Sequence, residues 1–466
     1  MTQYNRITPE ILEQLIFIVG AKYVIVDQER MGPYTHDETA DPELAHYPEV
    51  VLLPENTQRV AEIVKLANHH KLPIVPRGAG TGLSGGIVPK FGGIVISLER
   101  LDKIIEIDSE NMFMTVEAGV ITERVQEAAN QAGFLYAGDP CSGHSSTIGG
   151  NVATNAGGNK VLKYGSTRRQ VYGLEVVTAE GDIVFLGGKC MKDSTGYSLL
   201  NLIIGSEGTL GIITKVILKL QPLPSHRVDL LAIFRDRSSA MQTVPLILQK
   251  GIIPAALEFM DNRAVQCCEE YIGEKLPYRK DAYYLIVTLE GDDEGFLEGQ
   301  MALIDEVCRD SGVIEILAAD PRRIWRARRV FAEASRARSP VYSGEDLVVP
   351  LSAVGDIIKF IFDRGEEYGV TIHCAGHAGD GNVHAHILKD SINDDNWRRI
   401  LPALHDEIYK KVYSLGGKLS GEHGIGYKRV KLLEQFCHPV ELKMMKAIKQ
   451  CLDPNLILNP GKVLQL

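Results

Sequence analysis

Three stretches of this 466-residue chain carry residues whose types and spacing could do chemistry: PRGAGTGLSGG at 76–86, STIGGNVATNAGGNK at 146–160 and HCAGHAGDGNVHAHI at 373–387. The first two are loops of the kind that grip a pyrophosphate. Backbone N–H groups do the gripping, side chains would block them, and glycine reaches positive φ at little cost. Gly78, Gly80, Gly82, Gly85 and Gly86 suit that task, with Arg77, Thr81 and Ser84 as added donors. One such loop says little, since GTGLSG at 80–85 also satisfies the GxGxxG fingerprint and Glu99 lies about where a ribose-binding acid would. That fingerprint must open a crossover helix, however, and Pro89, Gly92, Gly93 and the β-prone run 93–98 leave no room for one. Two glycine loops about half a domain apart, with a third at 205–211 (GSEGTLG), point instead to a flavin nucleotide held between two lobes.

The third stretch is rich in imidazole. Six of the thirteen histidines, His373, His377, His384, His386, His405 and His423, fall within residues 373–423, where an even spread would put about one or two. Residues 370–375 and 382–388 read as two strands around the turn Gly379-Asp380-Gly381. Period-2 alternation sets His384 and His386 on one face with Val383, Ala385 and Ile387 on the other. His377, at the mouth of the turn, can meet His384 across it. Glu422 and His423 follow in SGEHGIGYKR, whose glycines let the backbone approach a ligand. Two imidazoles and one carboxylate fit a divalent metal with one position open, zinc most naturally, with manganese or iron as alternatives.

Regular elements must carry these groups. Residues 50–53 read as a strand, 57–69 as a helix with Val60, Ile63, Val64 and Leu66 at helical spacing, and 72–75 as a strand. This β-α-β unit delivers the chain into the first glycine loop, with Asn56 as the helix N-cap and Pro73 barring its continuation. Short β-prone runs follow at 93–98, 104–108 and 113–117, then a helix over 121–132 that leads to the second glycine loop. A hairpin is expected at 171–179 and 182–186 around Glu180-Gly181, and the strongest strand in the chain at 212–220. Pro222 and Pro224 mark a domain boundary. Beyond it the texture is α+β, with strands near 229–234 and 283–289 and helices near 240–249, 296–312 and 353–368. NPGKV, at 459–463, is too polar to be a buried helix and is expected to return to the first domain.

Composition excludes several classes of function. A formal charge of −10 with no basic stripe disfavours nucleic acid. The eight cysteines are scattered, without the CxxC pairs of a zinc ribbon or the run of an iron–sulfur site, and a reducing cytoplasm is the simplest home. The N-terminal MTQYNRITPEILEQL reads as an amphipathic helix rather than a secretory signal, and no run of eighteen apolar residues predicts a transmembrane segment. Attachment at a membrane would then be peripheral.

PRGAGTGLSGG, DPCSGHSSTIGGNVATNAGGNK at 139–160, KYG at 163–165 and IIGSEGTLGIIT at 203–214, in this order, resemble the FAD domain of the FAD-linked oxidase superfamily that includes vanillyl-alcohol oxidase. More narrowly, the chain resembles the D-2-hydroxyacid dehydrogenases grouped with the glycolate oxidase D subunit, from about Pro48 to the NPGKV end. The resemblance implies an α+β fold. A two-lobed FAD-binding domain of the vanillyl-alcohol oxidase type would occupy residues 1–222, with the lobe boundary near 105. An α+β substrate or cap domain with an antiparallel sheet would occupy 223–420, and a C-terminal segment, 421–466, would return to the FAD domain. FAD would be held by Pro76, Arg77, Gly78, Ala79, Gly80, Thr81, Gly82 and Gly85 in the first loop, and by Asp139 and Pro140. The second loop would contribute Ser146, Thr147, Gly149, Gly150, Asn151, Thr154, Asn155, Gly157 and Gly158, followed by Tyr164 and Gly165. Glu207, Gly208, Gly211, Ile212 and Ile213 in the third loop, with Asn459, would complete the site. Some relatives attach the flavin to a histidine in the first loop; this loop offers none, so the FAD is expected to be non-covalent. In metal-dependent relatives the GHxGDGNxH and EHG motifs carry the ligands, which fall here on His377, His384 and Glu422. The family also places a substrate-binding arginine three residues after a tryptophan, which is Arg328 after Trp325 in RRIWRARR; the other arginines read as a solvated helix face.

Oxidising a 2-hydroxy acid requires loss of the hydroxyl proton and transfer of the C2 hydrogen as hydride to flavin N5. A metal on the hydroxyl stabilises the alkoxide, so a base with an ordinary histidine pKa of about 6.5 suffices. His423, next to Glu422, is assigned that role, and Asn382 is expected to orient substrate or a ligand. Relatives acting on 2-hydroxyglutarate carry a threonine and a lysine where this chain offers Ala332 and Ser343-Gly344. The expected substrate is therefore a small D-2-hydroxy acid, D-lactate or glycolate. The electrons would leave to a separate protein, an electron-transfer flavoprotein or an iron–sulfur subunit, or to a quinone. The alternatives are a D-2-hydroxyglutarate dehydrogenase, a flavin-binding subunit of a larger electron-transfer complex, and a zinc hydrolase using Glu422 or His423 to activate water.

Overall fold

The computed structural model describes residues 4–39, 44–275, 282–318 and 320–466, with the backbone alone at Ile324. The start of the expected N-terminal helix lies outside the described residues; the helix itself runs Pro9–Val19, capped by Thr8. The chain forms two compact units. The first comprises Met1–Gly157, Ser166–Leu223 and Glu422–Leu466, and the second Gly158–Gly165 and Pro224–Gly421.

Among the described residues the first unit holds two main sheets, beside a two-stranded pairing of Phe134–Leu135 with Gln221–Pro222. In the smaller, the strands Val50–Leu52 and Ile74–Arg77 both lie parallel to Ile94–Ser97, and Val24–Ile25 joins antiparallel at the edge. These runs are Val/Ile-rich because a parallel sheet is covered on both faces. The helix between the first two, Thr57–His70, starts where the Asn56 side chain accepts from the Arg59 N–H at 3.0 Å and buries Val60, Ala61, Ile63, Val64 and Ala67. Residues 457–459 extend this sheet, with the Asn459 N–H on the Ile74 carbonyl at 2.7 Å. The larger sheet is antiparallel, in the order Ile104–Asp108, Phe113–Glu117, Ile212–Lys219, Val171–Val177, Ile183–Gly187. Its central strand, Ile212–Lys219, is the apolar run that follows the third glycine loop, so a buried strand fixes where that loop ends. The two sheets share one apolar core with the helix Thr57–His70.

The second unit is built on a seven-stranded antiparallel sheet in the order Val313–Ala318, His226–Phe234, Tyr283–Gly291, Ala256–Met260, Thr371–His377, Asn382–Leu388, Tyr342–Val348. Helices Arg237–Gln249, Glu294–Asp310, Val354–Tyr368 and Asp394–Ser414 accompany it. The arginine-rich stretch is a short helix, Pro321–Arg329, begun by the Asp320 cap and a proline in its first turn. The Trp325 indole N–H donates to Asp229 at 2.7 Å and seats that helix on the strand His226–Phe234. Among the described residues, no helix is long and apolar enough to cross a membrane.

Candidate active site

A cleft in the first unit gathers most of the residues that the sequence singles out. Its wall includes Pro76, Arg77, Gly78, Ala79, Gly80, Thr81 and Gly82 from the first loop, and Pro140. Ser146, Thr147, Gly149, Gly150, Asn151, Thr154 and Gly157 come from the second, and Glu207, Gly208, Gly211, Ile212 and Ile213 from the third. Glu422 and His423 complete it. Nine of the lining residues are glycines, so much of the wall is bare backbone, while Leu98, Ala118, Ile87, Ile212 and Ile213 add apolar surface. Polar backbone beside an apolar face is what a flavin with its pyrophosphate needs, and the residues present fit FAD. Several of these glycines are enforced by packing. A Cβ at Gly78 would lie 2.3 Å from the Thr147 hydroxyl oxygen, and one at Gly149 would lie 2.6 Å from the Ala118 methyl group.

Not every residue expected to touch the cofactor lines the cleft. The Gly85 N–H donates to Asp37 at 2.7 Å, and Asn155 accepts from the Arg168 N–H at 2.9 Å. Asn459 donates to the Gly86 and Glu207 carbonyls at 2.8 and 2.7 Å. These three hold loops in shape. Asp139 belongs to the first unit but is not in the cleft wall, and Gly158, Tyr164 and Gly165 belong to the second unit, where the Tyr164 hydroxyl donates to Glu290. Arg77 is buried, and its guanidinium donates to the carbonyls of His36 and Ala79 at 3.1 and 3.3 Å. Ser84, read as a phosphate donor, gives its hydroxyl to the His423 carbonyl at 3.0 Å. Asp37 was invisible in the sequence, because it sits in an irregular segment with no pattern around it. Burial pushes its carboxyl up, against bonds from the Thr39, Gly85 and Gly86 backbone that favour the ionised form.

The second unit carries the other cluster. Thr371–His377 and Asn382–Leu388 pair so that His377 faces Asn382 and His384 faces Ala375. The rings of His377 and His384 meet edge to face, with centroids 5.2 Å apart. Every residue of Asn382–Leu388 is buried, so both faces of that strand are covered. His377 Nδ1 lies 2.8 Å from Glu258, and Arg328 Nε donates to the other oxygen of Glu258 at 2.9 Å. Arg328 also points a terminal nitrogen at His377 Nε2, 3.4 Å away. A guanidinium only donates, so Nε2 is the accepting nitrogen and Nδ1 carries the proton toward Glu258. Burial pushes the Glu258 carboxyl up, but His377 and Arg328 outweigh it and hold it below the ordinary range. A carboxylate behind an imidazole is the usual support for a metal-binding histidine.

The amide nitrogen of Asn382 donates to Asp346 at 2.8 Å and to the Leu347 carbonyl at 2.9 Å. The other oxygen of Asp346 accepts from Ser420 at 2.6 Å, and His384 Nδ1 is 3.7 Å from Asp346. Asn382 therefore braces the strand next to His384. Ser343 donates to Glu345 at 2.6 Å, and Glu345 also meets His405 at 3.0 Å and the Tyr409 hydroxyl at 2.5 Å. His386 stacks on Phe331 with centroids 4.2 Å apart, and His373 is pushed down to about 4, chiefly by desolvation, with Arg338 adding to the shift and Asp390 opposing it. Sequence reasoning missed Glu258, Asp346 and Glu345. The signal for Glu258 was there: one carboxylate inside the apolar run AALEFM must be buried, and a buried charge needs a partner.

Comparison with known proteins agrees with the glycine-walled cleft. Residues 48–187 match the family described as FAD binding domain, and residues 223–463 match FAD linked oxidases, C-terminal domain. The chain belongs to the FAD-linked oxidases and is an oxidoreductase whose cofactor is FAD. It is 38% identical over 471 residues to a D-lactate dehydrogenase of Anaerostipes hadrus, covering 99% of this chain and 98% of that one. It is 39% identical over 461 residues to the glycolate oxidase subunit GlcD of Bacillus subtilis strain 168, covering 98% and 97%. Among solved structures it is similar to p-cresol methylhydroxylase with substrate bound, at a TM-score of 0.81 and 18% identity over 99% of this chain and 98% of that one, a likeness of fold. The fold is α+β, of the vanillyl-alcohol oxidase type that the motifs implied.

Proposed function

We propose that this protein oxidises a small D-2-hydroxy acid, D-lactate or glycolate, to the 2-oxo acid, with FAD bound non-covalently. The observation that carries the reading is that His423 and Glu422 share one wall, within one unit, with the three glycine loops. An acid–base group is thus built into the cofactor cleft itself. The bound groups would supply what side chains lack: the flavin an acceptor for the C2 hydrogen as hydride, and a divalent metal, zinc most naturally, a Lewis acid for the hydroxyl oxygen.

The side chains do the rest. His423 takes the hydroxyl proton, the transfer for which an imidazole is the most often used side chain. His377, His384 and Glu422 are the proposed metal ligands. The Nδ1–H tautomer that Glu258 imposes on His377 supports this, because the Nε2 lone pair, which now accepts from Arg328 at 3.4 Å, is the one a metal would take once that guanidinium turns away. Arg328 receives the substrate carboxylate, its guanidinium oriented through Nε by Glu258. Relatives named D-lactate dehydrogenase and glycolate oxidase subunit support the substrate class. A relative from Oryza sativa, named as a probable D-2-hydroxyglutarate dehydrogenase and 34% identical, makes the five-carbon diacid the competing substrate. Electrons leave the reduced enzyme for a separate acceptor, a flavoprotein, an iron–sulfur subunit or a quinone.

An anaerobic screen of D-lactate, glycolate and D-2-hydroxyglutarate, read by bleaching of the flavin band, tests the reading. D-lactate or glycolate should bleach fastest. Faster bleaching by D-2-hydroxyglutarate overturns the substrate assignment, and no bleaching by any 2-hydroxy acid overturns the function.

A further inference from the structure

Glu207 sits in the third glycine loop, where the motif alone reads as a cofactor grip. Its side chain is spent on something else. One carboxylate oxygen accepts the Ile425 N–H at 2.8 Å and the other accepts the Gly426 N–H at 2.8 Å. Both N–H groups belong to the loop that begins Glu422-His423. A Cβ at Gly424, whose φ is +80°, would fall 2.7 Å from the same carboxylate, so the backbone just after His423 lies directly against it.

The backbone of Glu207 is held as firmly. Its N–H donates to the Ala153 carbonyl at 2.7 Å, and its own carbonyl accepts from Asn459 at 2.7 Å. Its φ of +54° is one that favours glycine, in a loop that already uses glycine at both neighbouring turns, Gly205 and Gly208. A glutamate at such a position carries a backbone cost that glycine would avoid, and its two carboxylate hydrogen bonds offset that cost. From the other side of the loop, Ser84 donates to the His423 carbonyl at 3.0 Å, and the Ser84 carbonyl accepts the N–H groups of Tyr427 and Lys428, each at 2.9 Å. Residues 423–428 are therefore gripped between the first and third glycine loops.

We infer that Glu207, with Ser84 opposite it, is a positioning residue that fixes the His423 loop against the cofactor cleft, and that the loops which hold FAD also hold the base. The role of His423 as base comes from the proposed function; the grip itself does not depend on it. A carboxylate suits the task because it accepts at both oxygens, whereas an amide must turn a donor toward one of the two N–H groups. Burial also pushes the Glu207 carboxyl up to about 7, opposed by the two N–H groups and by Arg429 and Lys462.

The test uses Glu207→Gln in the FAD-loaded enzyme, with three readouts. Flavin per chain should stay at the wild-type level. Hydrogen exchange at the Ile425 and Gly426 amides should speed up. The anaerobic flavin-reduction rate, at saturating concentration of the 2-hydroxy acid that bleaches wild type fastest, should fall by about ten- to a hundredfold with KM changed by less than about twofold, as expected for a reacting group out of place. Ser84→Ala, which removes the opposite donor, should shift exchange and rate the same way by a smaller factor. Wild-type exchange at both amides in Glu207→Gln overturns the grip, and loss of flavin with wild-type exchange reassigns Glu207 to cofactor binding. If no 2-hydroxy acid reduces wild type, the proposed function fails, and the exchange readout still decides the grip.

Discussion

Replacing Asp229 by asparagine should weaken the second unit and, through it, the seat of Arg328. Asp229 is fully buried and accepts at Oδ1 from Trp325 at 2.7 Å, from Thr288 at 2.5 Å and from Arg227 at 2.9 Å, and at Oδ2 from Arg227 at 2.8 Å. In Asp229→Asn the amide oxygen can keep the bonds from Trp325 and Thr288, but each falls from the charged class to the neutral one, a loss of about 1–1.5 kcal/mol apiece. The amide N–H₂ then faces Arg227, whose side chain is 42% exposed and can turn to water, so that bond is discounted. The sum, about 2–3 kcal/mol, corresponds to a fall in Tm of about 4–12 °C for a unit of this size. Burial pushes the Asp229 carboxyl up, but Arg227, Thr288 and Trp325 outweigh it and the folded pKa is lowered. The stabilisation is therefore complete above the unfolded carboxyl's pKa of about 3.9 and fades as pH falls through the lower folded value. Scanning calorimetry of wild type and variant at pH 7 and across the acid range measures both parts. Because Trp325 seats the helix that carries Arg328, the KM for the 2-hydroxy acid should also rise while flavin content holds. Equal Tm values at pH 7, or a Tm gap that widens in acid, would refute this reasoning.

Two further outcomes follow from the sites. His377→Ala should lower bound metal by a tenfold or greater loss of affinity, of the order expected for removal of a ligand or its support, and full occupancy by elemental analysis removes His377 as a ligand. Gly149→Ala would push a methyl group to within 2.6 Å of the Ala118 Cβ and 2.9 Å of its carbonyl oxygen, overpacking that should cost about 1–3 kcal/mol and reduce FAD content; wild-type stability and flavin stoichiometry would contradict it.

What was legible in the sequence was local. The glycine loops announced themselves because a bare-backbone wall must be written in glycine, and the Asn56 cap and the apolar run 212–220 fixed elements beside them. The meeting of His377 and His384 also followed from strand period and turn length. The second-unit carboxylates did not follow, since Glu258 is joined to Arg328 and His377 across 70 and 119 residues and no spacing rule reaches that far. Nor did the KYG segment, which reads as one piece with the loops around it until Tyr164 finds Glu290, 126 residues on. The helix Asp394–Ser414 escaped notice because Pro402 lies inside it. Glu207 shows a different limit: its motif indicated a cofactor loop, but not that the side chain turns toward residues 425 and 426.

The central claim is that a histidine in the wall of the FAD cleft takes the proton of a 2-hydroxy acid. Stopped-flow reduction of wild type and His423→Ala under anaerobic D-lactate or glycolate tests it most directly. The account predicts equal flavin content and a reduction rate lower by about 10²–10⁴-fold in the variant, the usual worth of a general base. Reduction at the wild-type rate in His423→Ala would contradict it.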